Sequence, residues 1–263
     1  MSIPKYNLGA SKFKIVIVLF VLFAFTQSEL LSQPVSLGVK GGLSVPDLKG
    51  GGTPQSEGYS SRLAPTFGVF VNYELDEHWS LLGEVSYSGQ GGKRNGMQPI
   101  FAENLTGLPV PPGTELYASF DNNTVLNYLE IPILVRYAFG GNKSGFDFYL
   151  DVGPYLGFLL NAKVVTNGSS TIYLDKDGNM PLELGGFQLP PQNFDRESDV
   201  FDKLNHVNVG ITGGFGVDYN FNGQRIRFDL RGAYGFIPIQ ADEENGKNYT
   251  GAIYVTLGYG FNI

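Results

Sequence analysis

An apolar segment that tolerates a carboxylate and a guanidinium six residues apart has few ways to fold, and NYLEIPILVRYAFG (residues 127–140) is such a segment. In an extended strand the side chains alternate between two faces. One face then carries Leu129, Ile131, Ile133, Val135, Tyr137 and Phe139, all apolar. The other carries Tyr128, Glu130, Pro132, Leu134, Arg136 and Ala138, so both charges lie together. A helix would separate the two charges and would be broken at Pro132. The segment reads as a strand with one greasy face and one mixed face.

The same period recurs along the chain at 35–44, 66–75, 79–88, 146–164, 206–221, 225–236 and 249–263. With 127–140 this makes eight strands. Gly is 36 of 263 residues and aromatics are 14%, a balance that suits turns and interfaces in an all-β chain. The connections alternate without exception. DEH (76–78), GGNKSG (140–145) and NGQ (222–224) are short, whereas 46–64, 90–123, 165–203 and 238–248 are long. Antiparallel neighbours closed into a barrel put all short turns at one rim and all long loops at the other. Transmembrane barrels have that layout, with tight periplasmic turns and long extracellular loops.

The twelve charges on the polar faces are Lys40, Glu74, Glu84, Glu130, Arg136, Asp147, Asp151, Lys163, Asp218, Arg227, Asp229 and Arg231. A soluble carrier barrel would wet these charges and bury the apolar face; a membrane barrel does the reverse. Three features favour the membrane. Trp79, Tyr137, Phe139, Tyr219, Phe221, Tyr259 and Phe261 gather at strand ends, where interface girdles sit. The strands reach the ~10 residues that a tilted crossing requires. The charged face also holds both signs, which suits pairing in a confined interior. The expected fold is therefore an all-β, eight-stranded antiparallel up-and-down transmembrane barrel. Its lumen is lined by those charges, with Glu130 and Arg136 paired to neighbouring strands. Eight strands leave an interior just wide enough for side chains to fill, so no open pore is expected.

The first residues read differently. Lys5, Lys12 and Lys14 precede the apolar run Ile15–Phe25, and polar TQSELLSQ follows. This is the pattern of a cleaved secretory signal peptide, residues 1–32, with cleavage after Ser32 or, alternatively, Ser28. The barrel domain is then 33–263. The apolar run is too short to span a bilayer core, which takes about 20 residues.

On the segments SLGVKGGLS (36–44), APTFGVFVNYELDEHWSLLGEVSYSGQGGK (64–93), NYLEIPILVRYAFG (127–140), FYLDVGPYLGFLL (148–160) and GITGGFGVDYNFNGQRIRFDLRGAYG (210–235), the chain resembles the outer-membrane β-barrel domain family of Gram-negative bacteria. These are the PorT-like or "porin family" small barrels of Bacteroidota. The resemblance implies an eight-stranded barrel in the cell outer membrane and little about activity, since most such proteins have no known one; the PorT-type members are linked to secretion of cargo across the outer membrane. The chain departs from many barrels in ending on Ile263 rather than Phe, although Tyr259, Phe261 and Ile263 keep the alternation.

Little in the chain points to chemistry. Zero cysteines removes thiol nucleophiles and thiolate metal sites. A net charge of −7 with no basic stripe argues against nucleic acid. His78 lies in a short turn, and His206 opens the sixth strand near Asp199 and Asp202 without a strained nucleophile turn anywhere. DKDGN (175–179) places its glycine fourth rather than sixth, so it fits a hairpin turn better than a calcium loop. No catalytic residue, metal or cofactor is expected. The expected partners are outer-membrane lipid and envelope or secretion proteins, met through the long loops. The alternative is a narrow porin-like channel or small-solute-binding barrel.

Overall fold

The computed structural model describes residues 35–54, 56–101, 110–111, 114–141 and 145–263. The signal-peptide expectation for residues 1–32 lies outside the described residues, as does most of the loop 102–113. Eight long strands form the wall: β1 (Val35–Gly51), β2 (Ala64–Glu74), β3 (Trp79–Phe101), β4 (Glu115–Ala138), β5 (Gly145–Asn167), β6 (Val207–Phe221), β7 (Gln224–Gly235) and β8 (Lys247–Asn262). Every neighbouring pair is antiparallel, and β8 returns to β1 over the register Ser36↔Asn262 to Gly51↔Lys247. The ring has no open edge at that level, as a wall facing hydrocarbon requires, because lipid offers no hydrogen-bond partner. Both ends of the described chain meet at the short-turn rim, where the Ile263 amide donates to the Val35 carbonyl at 2.9 Å.

Local chemistry explains the turns. Asn222 and Gly223 join β6 to β7 with φ of 48° and 75°, the left-handed pair that a two-residue hairpin needs. At the β2–β3 turn the Asp76 carboxylate accepts the amides of His78 and Trp79, both at 2.8 Å. Those bonds, that from Trp79 foremost, hold the carboxyl below its ordinary range.

The wall is also interrupted once. Pro132 on β4 and Pro154 on β5 have no N–H to give. The β3–β4 ladder skips between Gly83↔Ile133 and Ser86↔Glu130, and the β4–β5 ladder skips between Pro132↔Tyr155 and Val135↔Val152.

Two expectations are corrected here. The segment 90–123 is mostly strand: β3 runs on to Phe101 and β4 begins at Glu115, so the two form a ribbon that rises above the barrel. The piece Gly92–Phe101 alone represents about 30 Å of extended chain. The apolar-outside pattern of the lower strands does not extend there, because the sense of the alternation inverts along β4. Below Tyr128 the outward side chains are apolar and the inward ones mixed; above it Leu116, Ala118 and Leu126 point inward and are fully buried. Lys163 is the second correction. Asn127 pairs with Asn161 but Tyr128 pairs with Leu159, so Leu160 is an extra residue, a β-bulge. A bulge shifts the alternation by one. Ala162 therefore faces inward, and the Lys163 side chain is 37% exposed, bonded to Glu197 at 3.0 Å outside the barrel.

Candidate functional site: the filled lumen and its extracellular cap

Strand β7 is the spine of the interior. Arg225, Arg227, Asp229 and Arg231 occupy successive inward positions, all buried. Arg225 shares the parity of Arg227 and was missed as a lumenal charge although the alternation points to it. Its Nη2 reaches Glu74 at 2.9 Å, and Nη1 lies 3.4 Å from Asp218. Arg227 grips Asp218 with Nε and Nη2 at 2.8 and 2.9 Å, and its guanidinium lies over the Phe70 ring. Asp229 accepts the Tyr149 hydroxyl at 2.5 Å and Arg231 Nη2 at 2.9 Å. Arg231 reaches Glu84 and Asp151, each at 2.8 Å, and Lys40 pairs with the other Glu84 oxygen. Arg136 binds Asp151 at 2.8 Å and stacks 3.7 Å from the Tyr149 ring centroid.

Seven of the eight strands of the ring thus contribute to the ion-pair network, β1 to β6 together with β7, which runs through it. Such pairs add little net stability over an apolar filling, but removing one partner strands a buried charge. Large side chains fit because glycines face them. A Cβ at Gly38 would strike the Phe70 ring, and one at Gly216 would strike the Tyr149 hydroxyl. Small-against-large filling is how a narrow barrel closes its interior.

Asp147 is buried at the short-turn rim, where its Oδ1 accepts the Gly140 amide at 2.6 Å. Glu130 is also buried, but no cation lies within ion-pair distance of it among the described residues. Neutral donors hold it instead: Gln90 Nε2 at 3.0 Å and the Tyr254 hydroxyl at 3.1 Å. The expected pairing of Glu130 with a charge is thereby corrected. A cavity of about 20 Å³ separates this carboxylate from Lys40, Glu84 and Arg231. That volume accommodates roughly one water molecule.

Above Glu130 the filling turns apolar. Leu48, Leu126, Tyr128, Leu159, Ala162 and Ile239 form a buried cluster under Tyr59, Val200, Phe201 and Leu204 from the loops. A second cluster, Ile100, Leu116, Ala118, Ile172 and Leu182, lies higher, between the β3–β4 ribbon and the loop after β5. That loop carries the DKDGN turn. The Asp175 carboxylate there accepts the amides of Met180 at 2.7 Å and Asn179 at 3.1 Å, which lowers its pKa. No group of three metal-capable side chains occurs among the described residues.

The seven expected girdle aromatics all lie at the short-turn rim. Trp79 packs edge-on to Tyr137 at 4.9 Å, Tyr137 meets Phe139 at 5.3 Å, and Tyr219 meets Phe221 at 5.6 Å. Tyr259 and Phe261 are 44% and 46% exposed on the outer face beside them. A second aromatic set went unread: Phe67 stacks on Tyr87 at 4.9 Å and Tyr234 on Tyr249 at 6.1 Å, toward the long-loop side. Along tilted β8, Tyr259 and Tyr249 bracket about 25 Å of membrane normal, the height of a barrel's apolar band. Between them the outer face is Val, Leu, Ile and Phe, among them Phe148 at 64% and Leu257 at 63% exposure. His78 and His206 sit at opposite rims. His78 Nδ1 lies 2.8 Å from the Ala138 carbonyl, and exposed His206 stacks on Phe201.

Residues 25–241 match the outer membrane protein beta-barrel domain family. The chain belongs to that family. It is an outer-membrane protein, and its eight-strand ring is the fold expected from the sequence. No curated protein matches the chain. Among solved structures it is similar to Ail, the attachment invasion locus protein of Yersinia pestis, with 12% identity, 88% of this chain and 99% of that chain covered, and a TM-score of 0.36. Neisserial surface protein A matches at 13% identity over 86% of this chain and 96% of its own, with a TM-score of 0.38. The outer membrane protease OmpT from Escherichia coli matches at 10% identity over 88% and 97%, with a TM-score of 0.40. With identities this low and TM-scores under 0.5, the attachment, surface and protease roles in those names stay with those proteins.

Proposed function

We propose that this barrel is a non-enzymatic, closed anchor that works through its extracellular cap, by contact with envelope or secretion proteins. The observation that carries the reading is the double filling of the interior. An ion-paired layer from Glu74 to Arg231 lies under an apolar layer from Leu48 to Ile239. Above both, β3, β4 and β5 continue into an apolar-cored head. An interior filled at two levels supports a role other than conduction, and a head with its own core supports binding. The PorT-like role in secretion is the specific form of this reading that the resemblance suggests.

Two measurements test it. Planar-bilayer recordings of the purified protein should show no steady conductance; a reproducible open channel would favour the porin-like alternative. A mild-detergent pull-down of the tagged protein from its native outer membrane should recover envelope components in fixed ratio. Recovery should be lost when the ribbon above Lys93 is shortened. A barrel that comes down alone in both forms would sink the partner role.

A further inference from the structure

The outer wall of a barrel is convex, yet this one carries a groove of about 350 Å³ near the short-turn rim. Its floor is β1, with Leu37 and Val39. One wall is Val69 and Val71 of β2, and the other is Tyr259 and Phe261 of β8. The register places these three strands side by side at the same level, Val39 between Val69 and Tyr259, and Leu37 between Val71 and Phe261.

Two features keep the groove open. The Tyr259 hydroxyl donates to Gln224 Oε1 at 2.9 Å, which ties the ring to β7 and away from β1. Behind the floor, Gly38 and Gly260 have no Cβ, and the Phe70 ring backs the wall from the lumen, itself held under Arg227. The floor is a rigid backbone over a packed ring. Filling the groove from inside is blocked.

We propose that this groove seats an acyl chain of a phospholipid from the periplasmic leaflet. Its place decides the class of ligand. It opens on the outer, lipid-facing wall at the periplasmic edge of the apolar band, with the rim aromatics Tyr259 and Phe261 as one of its sides. The short turns mark this rim as periplasmic. Its lining offers hydrocarbon and ring faces only, which recognises a chain and not a headgroup. Inside a bilayer no hydrophobic driving force distinguishes a groove from bulk lipid. The gain is dispersion contact with walls on three sides, so the seated chain exchanges more slowly than its neighbours around the barrel. A second copy is the other conceivable occupant. Phe146 and Phe148 on β5, 74% and 64% exposed, form a ridge at the same rim. Ridge-in-groove contact between copies would be head-to-tail, and it would leave a free groove and a free ridge at every chain end unless a ring closed.

The test uses the full-length protein reconstituted in vesicles of palmitoyl-oleoyl phosphatidylethanolamine, re-extracted in mild detergent and weighed by native mass spectrometry. Val39→Phe fills the groove from its floor. Val152→Phe, at an outward position on β5 that is 54% exposed, is the control. Far-UV circular dichroism and the mobility of unheated samples verify that all three are folded. Phospholipid should remain bound to wild type and to the control, and drop several-fold in Val39→Phe. Equal retention in all three, or none in wild type, would overturn the proposal. So would cross-linked multimers that vanish with Phe148→Ala, since the groove would then belong to a second copy.

Discussion

Strand β4 solves two opposite problems with one alternation. Below Tyr128 its outward residues Leu129, Ile131, Ile133 and Val135 are apolar, and inward Glu130 and Arg136 are charged. Above Tyr128 the inward residues Leu116, Ala118 and Leu126 are apolar, and the outward positions carry Glu115, Ser119, Asp121 and Asn123. The backbone does not change parity at the crossing; the solvent does. Where hydrocarbon surrounds the wall, apolar side chains go out and the interior is left to ions, which must pair. Where water surrounds it, the ordinary globular rule returns and the loops can supply a core. The barrel is an inside-out protein up to about Glu130 and a conventional one beyond.

Arg231→Leu should disturb the lower layer most. It leaves Glu84, Asp151 and Asp229 without their shared cation. A loss of about 3–5 kcal/mol is expected, read by denaturant unfolding in lipid vesicles. A change near zero would mean that water already screens the lower layer.

Leu126→Ala tests the upper layer, where the side chain is fully buried. The expected loss is about 2–5 kcal/mol in the same unfolding assay. Bilayer conductance should stay silent, because the ionic layer below is untouched. Conductance from this single change would show that the apolar cap is the only seal.

Glu130→Gln sits at the boundary and should cost about 1 kcal/mol or less. Its present donors are neutral, and the new amide finds an acceptor in Gln90 Oε1, which is buried without a partner among the described residues. Glu84→Gln, on the neighbouring strand β3 and lining the same cavity, should cost several-fold more, because Lys40 and Arg231 both depend on it. Equal costs would erase the distinction between the two layers.

The smallest effect is expected in the head. The Asp175 carboxyl is held below its ordinary value, by the Met180 amide foremost. Its contribution is present above that ordinary value and is lost as pH falls through the lowered one. Acidification to below about pH 3.8 should therefore lower the protection of the Asn179 and Met180 amides in wild type, measured against the intrinsic exchange rate at each pH. In Asp175→Ala those amides should show little protection at any pH.

Much of the lower barrel was legible in the sequence. Lipid makes alternation a strict rule, so strands, inward charges and rim aromatics could be read residue by residue, and the short-and-long rhythm of the connections implied closure. Arg225 was readable by the same rule and was passed over. The head was harder to read because its strands alternate in the reverse sense and more weakly, so Gln90–Phe101 and Glu115–Asn123 looked like loop. Lys163 was misplaced because a bulge at Leu160 leaves no trace in composition.

The order of residues along the chain dictates half-apolar strands with charges of both signs on one face, and hence a membrane barrel, since only a closed sheet satisfies its backbone in lipid. Tertiary structure alone decided which charges meet, for that depends on stagger between strands far apart in the chain: Arg231 with Glu84, and Arg225 with Glu74. It also decided that Glu130 meets no cation among the described residues, held instead by Gln90 of neighbouring β3 and by Tyr254 from across the lumen. Alternation tells each residue which side of the wall it faces; only closure of the ring tells it what stands opposite.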